Sequence, residues 1–120
     1  MSGGSSIEPL SDAWVGAIAE ASADRQGRSG VVAIAVGKKK LAVLDITEGR
    51  VAVGADPASA EVTIPVTGSQ LEAILSGEES LAQAFMRGDV KPEGATGALL
   101  AAVELFEDAE FRLRLVRALA

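Results

Sequence analysis

The chain contains no histidine and no cysteine among its 120 residues. Histidine titrates nearest to neutral pH and is the commonest metal ligand, and cysteine supplies the thiolate nucleophile, so two frequent sources of catalytic chemistry are missing. Tyrosine and asparagine are absent as well. Acid–base chemistry would therefore depend on carboxylates, lysines or hydroxyl groups whose pKa values are shifted by burial. The lack of cysteine also agrees with a reducing compartment.

Aromatic residues and positive charges are scarce. The chain has one tryptophan and three phenylalanines, and its 17 acidic and 11 basic residues give a net charge of −6. A negative net charge opposes binding to a phosphate backbone, and so few rings do not form a base-stacking platform. The sequence therefore argues against nucleic acid as a partner.

Long apolar runs are also missing. No stretch approaches the ~20 apolar residues that a membrane-spanning helix needs, and the first residues lack the basic and apolar regions of a secretory signal. We therefore expect a cytoplasmic protein. The length predicts one domain, and a hydrophobic content of 48% is enough for a substantial core. We expect residues 1–6 to be disordered and residues 7–120 to form that domain.

Motifs for cofactor or metal chemistry are not found in the sequence. It contains no P-loop, dinucleotide fingerprint, nucleophile elbow or zinc motif, and we predict neither a cofactor nor a metal. The basic run at residues 38–40 is more typical of a solvated hairpin tip than of a phosphate site. Asp45 is the candidate for acid–base chemistry, although the outward face of a strand is its more usual place. The densest group of carboxylates could in principle bind calcium, but its positions lack the spacing of a calcium loop. This group consists of Glu104, Glu107, Asp108 and Glu110.

The strands are indicated by short apolar runs between turn residues. Residues 31–36, 41–47 and 50–53 predict an antiparallel meander, and the first of these is expected to be buried on both faces. A fourth strand begins near Val62 and is expected to end at Pro65. Residues 89–93 predict a short fifth strand, which Pro92 would confine to a sheet edge.

Five helices are indicated by apolar residues at helical spacing and by their caps. Ser11, Thr67 and Asp108 are expected N-caps, and Thr67 is followed by the glutamine that completes a capping box. Gly77 and Gly88 are expected to end two of the helices in the left-handed conformation. The predicted helices begin at Ser11, Thr67, about Glu79, Leu99 and Asp108.

The order of these elements over residues 60–106 resembles the sterol carrier protein-2 (SCP2) family. The resemblance rests on the strand Glu61-Val62-Thr63-Ile64, the pair Ser76-Gly77, Phe85 before a glycine-flanked strand, and an apolar closing helix. It implies an α+β fold, in which helices cover one face of a five-stranded, mainly antiparallel sheet and leave an apolar tunnel between the layers. The chain departs from the family at Pro92, and its last residues are not a peroxisomal address. We expect a stand-alone bacterial member.

The resemblance implies reversible binding of a sterol, fatty acid or fatty acyl-CoA, with transfer or presentation of the ligand and no covalent step. Transient contact with a membrane or an enzyme would follow, and the oligomeric state stays open. One alternative is a cofactorless isomerase or cyclase, which a carboxyl group at the cavity wall would favour. Another is a non-catalytic accessory interaction module, which a filled core would favour. The residues expected to line the tunnel are Trp14, Ile18, Leu44, Ile46, Val53, Ile64, Leu71, Leu75, Phe85, Leu99, Val103 and Phe106.

Residues 107–120 carry a further apolar stripe. Phe111, Leu115 and Leu119 recur at four-residue spacing, and an isolated helix of this length is marginal in water, so the segment needs an apolar surface to cover. We expect it to form a lid over one end of the tunnel. The alternatives are that it completes the core or forms a dimer interface.

Overall fold

A computed structural model of the protein describes residues 7–38 and 40–119. The expectation of a disordered start concerns residues 1–6, which lie outside this part, as do Lys39 of the basic run and Ala120 at the chain end. The elements in chain order are α1 (Asp12–Ala21), β1 (Gly30–Val36), β2 (Lys40–Thr47), β3 (Arg50–Ala52), a 3-10 turn (Pro57–Ser59), β4 (Val62–Val66), α2 (Gly68–Ser76), α3 (Leu81–Arg87), β5 (Glu93–Gly94), α4 (Thr96–Phe106) and α5 (Ala109–Leu119).

The five strands form one mixed sheet in the order β3-β2-β1-β4-β5. All neighbouring pairs are antiparallel except β1 and β4, which are parallel. The predicted meander is confirmed, and its second turn has positive φ at Glu48 and Gly49, 53° and 86°. Two consecutive positive φ values match the right-handed twist of a two-residue hairpin. The predicted five-stranded, mainly antiparallel sheet is therefore confirmed.

Pro65 lies inside β4, so the prediction that it ends the strand is wrong. It pairs with Ala35 of β1, and the strand continues to Val66. On the other side of β4, β5 pairs only with Val62 and Thr63. That edge of β4 is open beside Pro65, and an open edge is where proline is tolerated because no ladder hydrogen bond is lost.

The fifth strand is shorter than predicted and shifted along the chain. It covers Glu93 and Gly94 instead of residues 89–93, and it lies at the sheet edge. A Cβ on Gly94 would overlap the backbone of Glu61 and Val62, and Gly94 has a φ of 132°. The strand therefore begins only after Pro92, at the place where a residue without a side chain allows the two backbones to meet.

The predicted helix caps are confirmed. Thr67 Oγ1 accepts from Gln70 N at 3.0 Å and Gln70 Oε1 accepts from Thr67 N at 2.8 Å, which completes the capping box of α2. Gly77 and Gly88 end α2 and α3 in the left-handed conformation. Asp108 Oδ1 accepts from two backbone N–H groups in the first turn of α5.

The helices α1 and α4 cover one face of the sheet. α1 packs on β2 and β3, and α4 packs on β1 and β4. The approach of α4 is close, because a Cβ on Gly30 of β1 would lie 2.6 Å from the Cα of Ala98. Small residues therefore allow the helix and the sheet to pack closely. The face of the sheet buried below the helices consists of Val32, Ile34, Ala42, Leu44, Ile46, Val51, Val62, Ile64 and Val66.

The carboxy-terminal helix α5 completes the core instead of forming the expected lid. It packs against α1 and α4, and its side chains Phe111 and Leu115 are buried. The ring of Phe111 meets that of Phe106 edge to face, with 6.1 Å between centroids. Asp108, just before the helix, also pairs with Arg25 at 2.8 Å. Because these buried side chains and this ion pair hold α5 against its neighbours, the helix is part of the core and does not open freely.

Ser22 is the buried polar residue of this core. It follows α1 and is fully buried, and its hydroxyl oxygen accepts from Val51 N of β3 at 2.9 Å and donates to Ala19 O at 3.1 Å. This hydrogen bond fixes the end of α1 against an edge strand of only three residues. Its loss would leave a backbone N–H without a partner inside the protein.

We predict that Ser22→Ala lowers the free energy of unfolding by ~1–3 kcal/mol, the cost of leaving a buried donor unsatisfied. Urea unfolding measures this change. Ser76→Ala is the matched control, because the Ser76 hydroxyl also donates to a carbonyl three residues earlier but is exposed. The control should stay within ~0.5 kcal/mol of the wild type. Equal losses in the two variants would show that the contact with β3 is not stabilising.

Candidate functional site

A small apolar cavity lies between the sheet and the helices. Its volume is about 10 Å³. This is about the space that one water molecule requires, and a water would also need polar partners that this lining does not offer. In this conformation only a small, dry cavity is present where the tunnel was predicted. The lining comes from β1, β4, α2, α3 and α4 and consists of Ile34, Ile64, Val66, Leu71, Ile74, Leu81 and Phe106.

The structure brings three of the twelve predicted residues to this cavity, namely Ile64, Leu71 and Phe106. Leu75 and Val103 are half-buried against the core, Leu75 on the outer side of α2. Five others are buried in the surrounding core without lining the cavity, and these are Trp14, Ile18, Leu44, Ile46 and Leu99. Most of the predicted set thus serves the core, and a minority surrounds the cavity.

Val53 and Phe85 do not belong to the interior, contrary to expectation. Val53 is 62% exposed because β3 ends one residue earlier, and Phe85 is 45% exposed. The inward face of α3 is formed by Leu81 and Ala84. In so short a helix, Phe85 lies in the last turn beside that face, so its ring reaches the surface.

Four lining residues escaped the sequence prediction: Ile34, Val66, Ile74 and Leu81. Two of them carried a usable signal. Ile74 follows Leu71 by three positions and so shares its helix face, and Ile34 lies in the middle of an apolar run. The parallel pairing that sets Ile34 beside Ile64 and Val36 beside Val66 had no local signal, because it joins strands distant in sequence.

A groove of about 460 Å³ lies on the outer side of α2, between α2 and α5. Leu75 of α2 lines this groove opposite Leu115 and Leu119 of α5. Leu71 and Ile74 line the inner cavity instead. One helix therefore separates the closed apolar cavity from an open groove with both polar and apolar residues. The remaining groove residues are Ser69, Glu72, Ala73, Ser76, Glu78 and Val116.

α2 is the wall of the cavity with the weakest attachment. Its backbone approaches other elements less closely than those of α1, α4 and α5 do. It has two buried side chains, Leu71 and Ile74, whereas α4 has six. Its ends are sharply defined by the Thr67 capping box and by Gly77 at φ 87°. Outward movement of α2 as a unit would withdraw these two buried side chains, loosen the half-buried Leu75 and break the hydrogen bond from Gln70 Nε2 to Asp89 O at 3.3 Å.

The four carboxylates that the sequence singled out near α5 have basic or hydroxyl partners at the surface. Glu104 and Asp108 bind Arg28 and Arg25, Glu107 accepts from the Ser80 hydroxyl, and Glu110 lies 3.7 Å from Arg114. Residues 7–38 and 40–119 contain no cluster of acidic side chains arranged to hold a metal ion. The acidic residues that the sequence singled out near α5 are thus engaged with basic or hydroxyl partners.

Two further polar features lie away from the cavity. Asp45 faces away from the helices, in register with Val31 and Ala52, and accepts from the Thr47 hydroxyl at 3.3 Å. Hydrogen bonds to Glu79 and then Asp89 raise the pKa of Arg87, which keeps an already charged guanidinium charged. Neither feature adds a titrating group to the cavity.

Comparison with known proteins gives one family and several similar structures. The family model described as the SCP-2 sterol transfer family matches residues 14–107. The crystal structure of a sterol carrier protein 2 has a TM-score of 0.60 at 21% identity, over 92% of this chain and 96% of that one. No curated protein sequence matches.

Two solution structures have the same architecture. A conserved hypothetical protein from Thermus thermophilus, named as a candidate sterol carrier protein, has a TM-score of 0.61 at 20% identity, over 99% of this chain and 95% of that one. Palmitated SCP2L2 from Aedes aegypti has a TM-score of 0.58 at 16% identity, over 81% of this chain and 94% of that one. At these identities the likeness establishes the fold. No helix within the described residues combines the length and the apolar character needed to cross a membrane.

The positions of the two phenylalanines predict different costs of truncation. Phe106→Ala should lower the free energy of unfolding by ~3–5 kcal/mol, because the ring is buried and its loss enlarges the cavity. Phe85→Ala should cost ~1 kcal/mol or less, because much of the ring is already in water. Urea unfolding of both variants measures the difference. A loss at Phe85 equal to that at Phe106 would contradict this placement.

Proposed function

Because this chain belongs to the SCP-2 sterol transfer family, we propose that it reversibly binds a hydrophobic ligand between its sheet and helices and then transfers or presents it. Family membership supports lipid binding or transfer in general. The ligand classes we propose are a sterol, a fatty acid or a fatty acyl-CoA, delivered in the cytoplasm to a membrane or an enzyme. Palmitate on the Aedes aegypti structure supports the fatty-acid class.

The observation that carries this proposal is the position of α2 between a closed apolar cavity and an open groove that is partly apolar. Small-molecule sites usually enclose ~300–1,000 Å³, so the cavity has to expand before it accepts a lipid. If α2 moves outward into the groove of about 460 Å³, the space that it leaves enlarges the cavity toward that range. The ligand chain then contacts the residues that Leu71 and Ile74 contact in the closed form.

The free energies involved permit this exchange. Withdrawing Leu71 and Ile74 from the core costs ~1.5–3 kcal/mol for each side chain. A lipid chain contributes ~0.8 kcal/mol per buried methylene, so about ten methylenes supply ~8 kcal/mol. The ligand therefore offsets the opening of α2 without any covalent or strongly polar contact. Selectivity among chains of similar length would be loose.

A non-catalytic accessory interaction module is the second candidate function. The observation in its favour is the closed core, whose cavity of about 10 Å³ holds no ligand unless α2 moves. The isomerase or cyclase alternative has no comparable support, because all the residues lining the cavity are apolar. The two candidate functions differ in whether the isolated protein binds a lipid at all.

We predict that fixing α2 to α5 blocks ligand exchange. The chain has no cysteine, so Leu75→Cys with Leu119→Cys places two unique thiols across the groove, where a short bismaleimide can join them. The double variant before cross-linking should bind palmitate, cholesterol or palmitoyl-CoA saturably in calorimetry, and stopped-flow displacement of a fluorescent fatty-acid analogue should report the exchange kinetics. Cross-linking should slow association and release by ~10-fold or more, since lids gate ligand exchange.

The two single-cysteine variants treated with the same reagent are the controls, and their exchange rates should match that of the wild type. Equal rates in the cross-linked and open forms would show that α2 is not the gate. A folded wild-type protein that binds none of the three ligand classes would overturn the carrier proposal and favour the accessory module.

A further inference from the structure

The groove between α2 and α5 has apolar side chains that are open to solvent. Val116 lines it and is 60% exposed, and Leu113, one turn earlier on α5, is exposed as well. Residues three apart on a helix are neighbours on its surface, so these two side chains form a continuous apolar strip. Leu75 and Leu119 extend the strip into the groove, where both are half-buried. Adjoining apolar side chains at a surface often mark a site for another molecule.

The charged residues that line this groove are both acidic. Glu72 and Glu78 are exposed, and neither forms an ion pair with any residue of the described ranges 7–38 and 40–119. The groove therefore combines an apolar strip with negative charge that no direct partner offsets.

Arg112 of α5 lies near the groove without lining it. Its Nη1 donates to the backbone oxygen of Phe106 at 3.0 Å, and its Nε lies 3.0 Å from the point where a Cβ on Gly77 would stand. This half-buried cation is placed at the carboxyl ends of α2 and α4, where the helix dipoles favour a positive charge. Its charge acts next to Glu78 and leaves Glu72, five positions before Gly77, as the stronger anionic position.

A helix is the element of a partner that fits a groove of this kind. The side chains of two neighbouring helices leave a groove in which a third helix packs at an interaxial distance of about 8–10 Å. Apolar residues at positions i, i+3, i+4 and i+7 of such a helix would contact the strip at Val116 and Leu119. Lysine or arginine residues beside them would approach Glu72 and Glu78, and the net charge of −6 further favours a basic partner.

A second copy of this chain does not offer such a helix. In the described part of the chain, α1, α2 and α4 contain no basic residue, and Arg87 of α3 and Arg114 of α5 are engaged in ion pairs. Arg117 is the one basic residue of these helices that is exposed without an ion pair, and it lies in a cleft beside Glu20. Two copies that each carry a net charge of −6 also repel each other.

We propose that the groove between α2 and α5 docks a basic amphipathic helix of a partner protein. Its apolar side chains lie over Val116 and Leu119, and its lysine or arginine side chains lie at Glu72 and Glu78. The inference goes beyond the proposed function and does not require that the cavity binds a lipid. A helix in the groove would lie against the outer side of α2, so its binding would oppose outward movement of that helix.

The expected affinity follows from the size of the surface. The groove is formed by parts of two helices of 9 and 11 residues, which places the contact at the small end of protein interfaces. We therefore expect a dissociation constant of ~10–100 μM, as in transient complexes.

The test uses three peptides of ~14 residues, each about 20 Å long as a helix and so long enough to span the groove. The first has leucines on one helical face and lysines elsewhere. The second has glutamate in place of every lysine, and the third has the composition of the first in a scrambled order without an apolar face. Fluorescence anisotropy at ~0.15 M salt should show that the wild type binds the first peptide ~10-fold or more tightly than the other two.

Charge reversal tests the acidic positions. Glu72→Lys with Glu78→Lys should weaken binding of the lysine peptide by ~10-fold or more, because like charges then face each other. The matched control is Glu20→Lys with Glu93→Lys, which reverses two other exposed carboxylates without ion pairs and changes the net charge equally. The control should stay within ~3-fold of the wild type, since exposed charges at a distance are screened.

A second pair of variants tests the apolar strip. Val116→Ser should weaken binding of the lysine peptide by ~5-fold or more, because the partner loses an apolar contact. Val53→Ser is the matched control, since Val53 is 62% exposed and lies away from the groove, and it should leave the affinity within ~2-fold. Thermal unfolding of each variant checks that it is folded.

Four outcomes would overturn the inference. Equal binding of the three peptides, or no binding of the lysine peptide to the folded wild type up to ~1 mM, would show that the groove does not dock a basic helix. Equal losses in the two charge-reversal variants would assign binding to net charge alone. A wild-type dimer in sedimentation analysis that Val116→Ser dissociates would assign the groove to a second copy. Palmitate binding is measured separately, so the carrier proposal does not depend on any of these outcomes.

Discussion

The close approach of α4 to the centre of the sheet is the constraint on which the rest of this structure depends. Gly30 of β1 leaves room for Ala98 of α4 at a distance that a side chain would forbid. A helix this close to the sheet needs small residues at the contact, here Gly30, Ala98 and Ala101. The same approach brings Phe106, at the end of α4, against the cavity and closes it.

The helices α5 and α2 differ in how firmly they are held against the rest of the core. α5 is held by buried side chains and by the pairing of Asp108 with Arg25, so it forms a stable wall. α2 is capped at both ends but buries only Leu71 and Ile74. Stability is unevenly distributed in proteins, and elements that move to admit ligands come from its weaker parts. This contrast is the reason why we propose that α2 moves, although the sequence had suggested the terminal helix.

The electrostatic arrangement has the same origin. The carboxyl ends of α2 and α4 meet at Arg112 because α5 turns back along the end of α4. A positive charge near two negative helix ends is tolerated without a carboxylate partner. The cavity itself contributes no polar group.

The sequence by itself determined the features that depend on neighbouring residues. Caps at Thr67, Gly77 and Asp108, the meander and the helix positions all follow from local hydrogen bonding and periodicity, and the family resemblance supplied the layered arrangement. Only the tertiary structure decided the extent of β4 through Pro65, the exposure of Phe85 and the closure of the tunnel. These depend on which distant segments meet, as in the parallel pairing of β1 with β4. Such contacts leave no local pattern, because apolar residues look alike in sequence whether they pack against each other or surround a cavity.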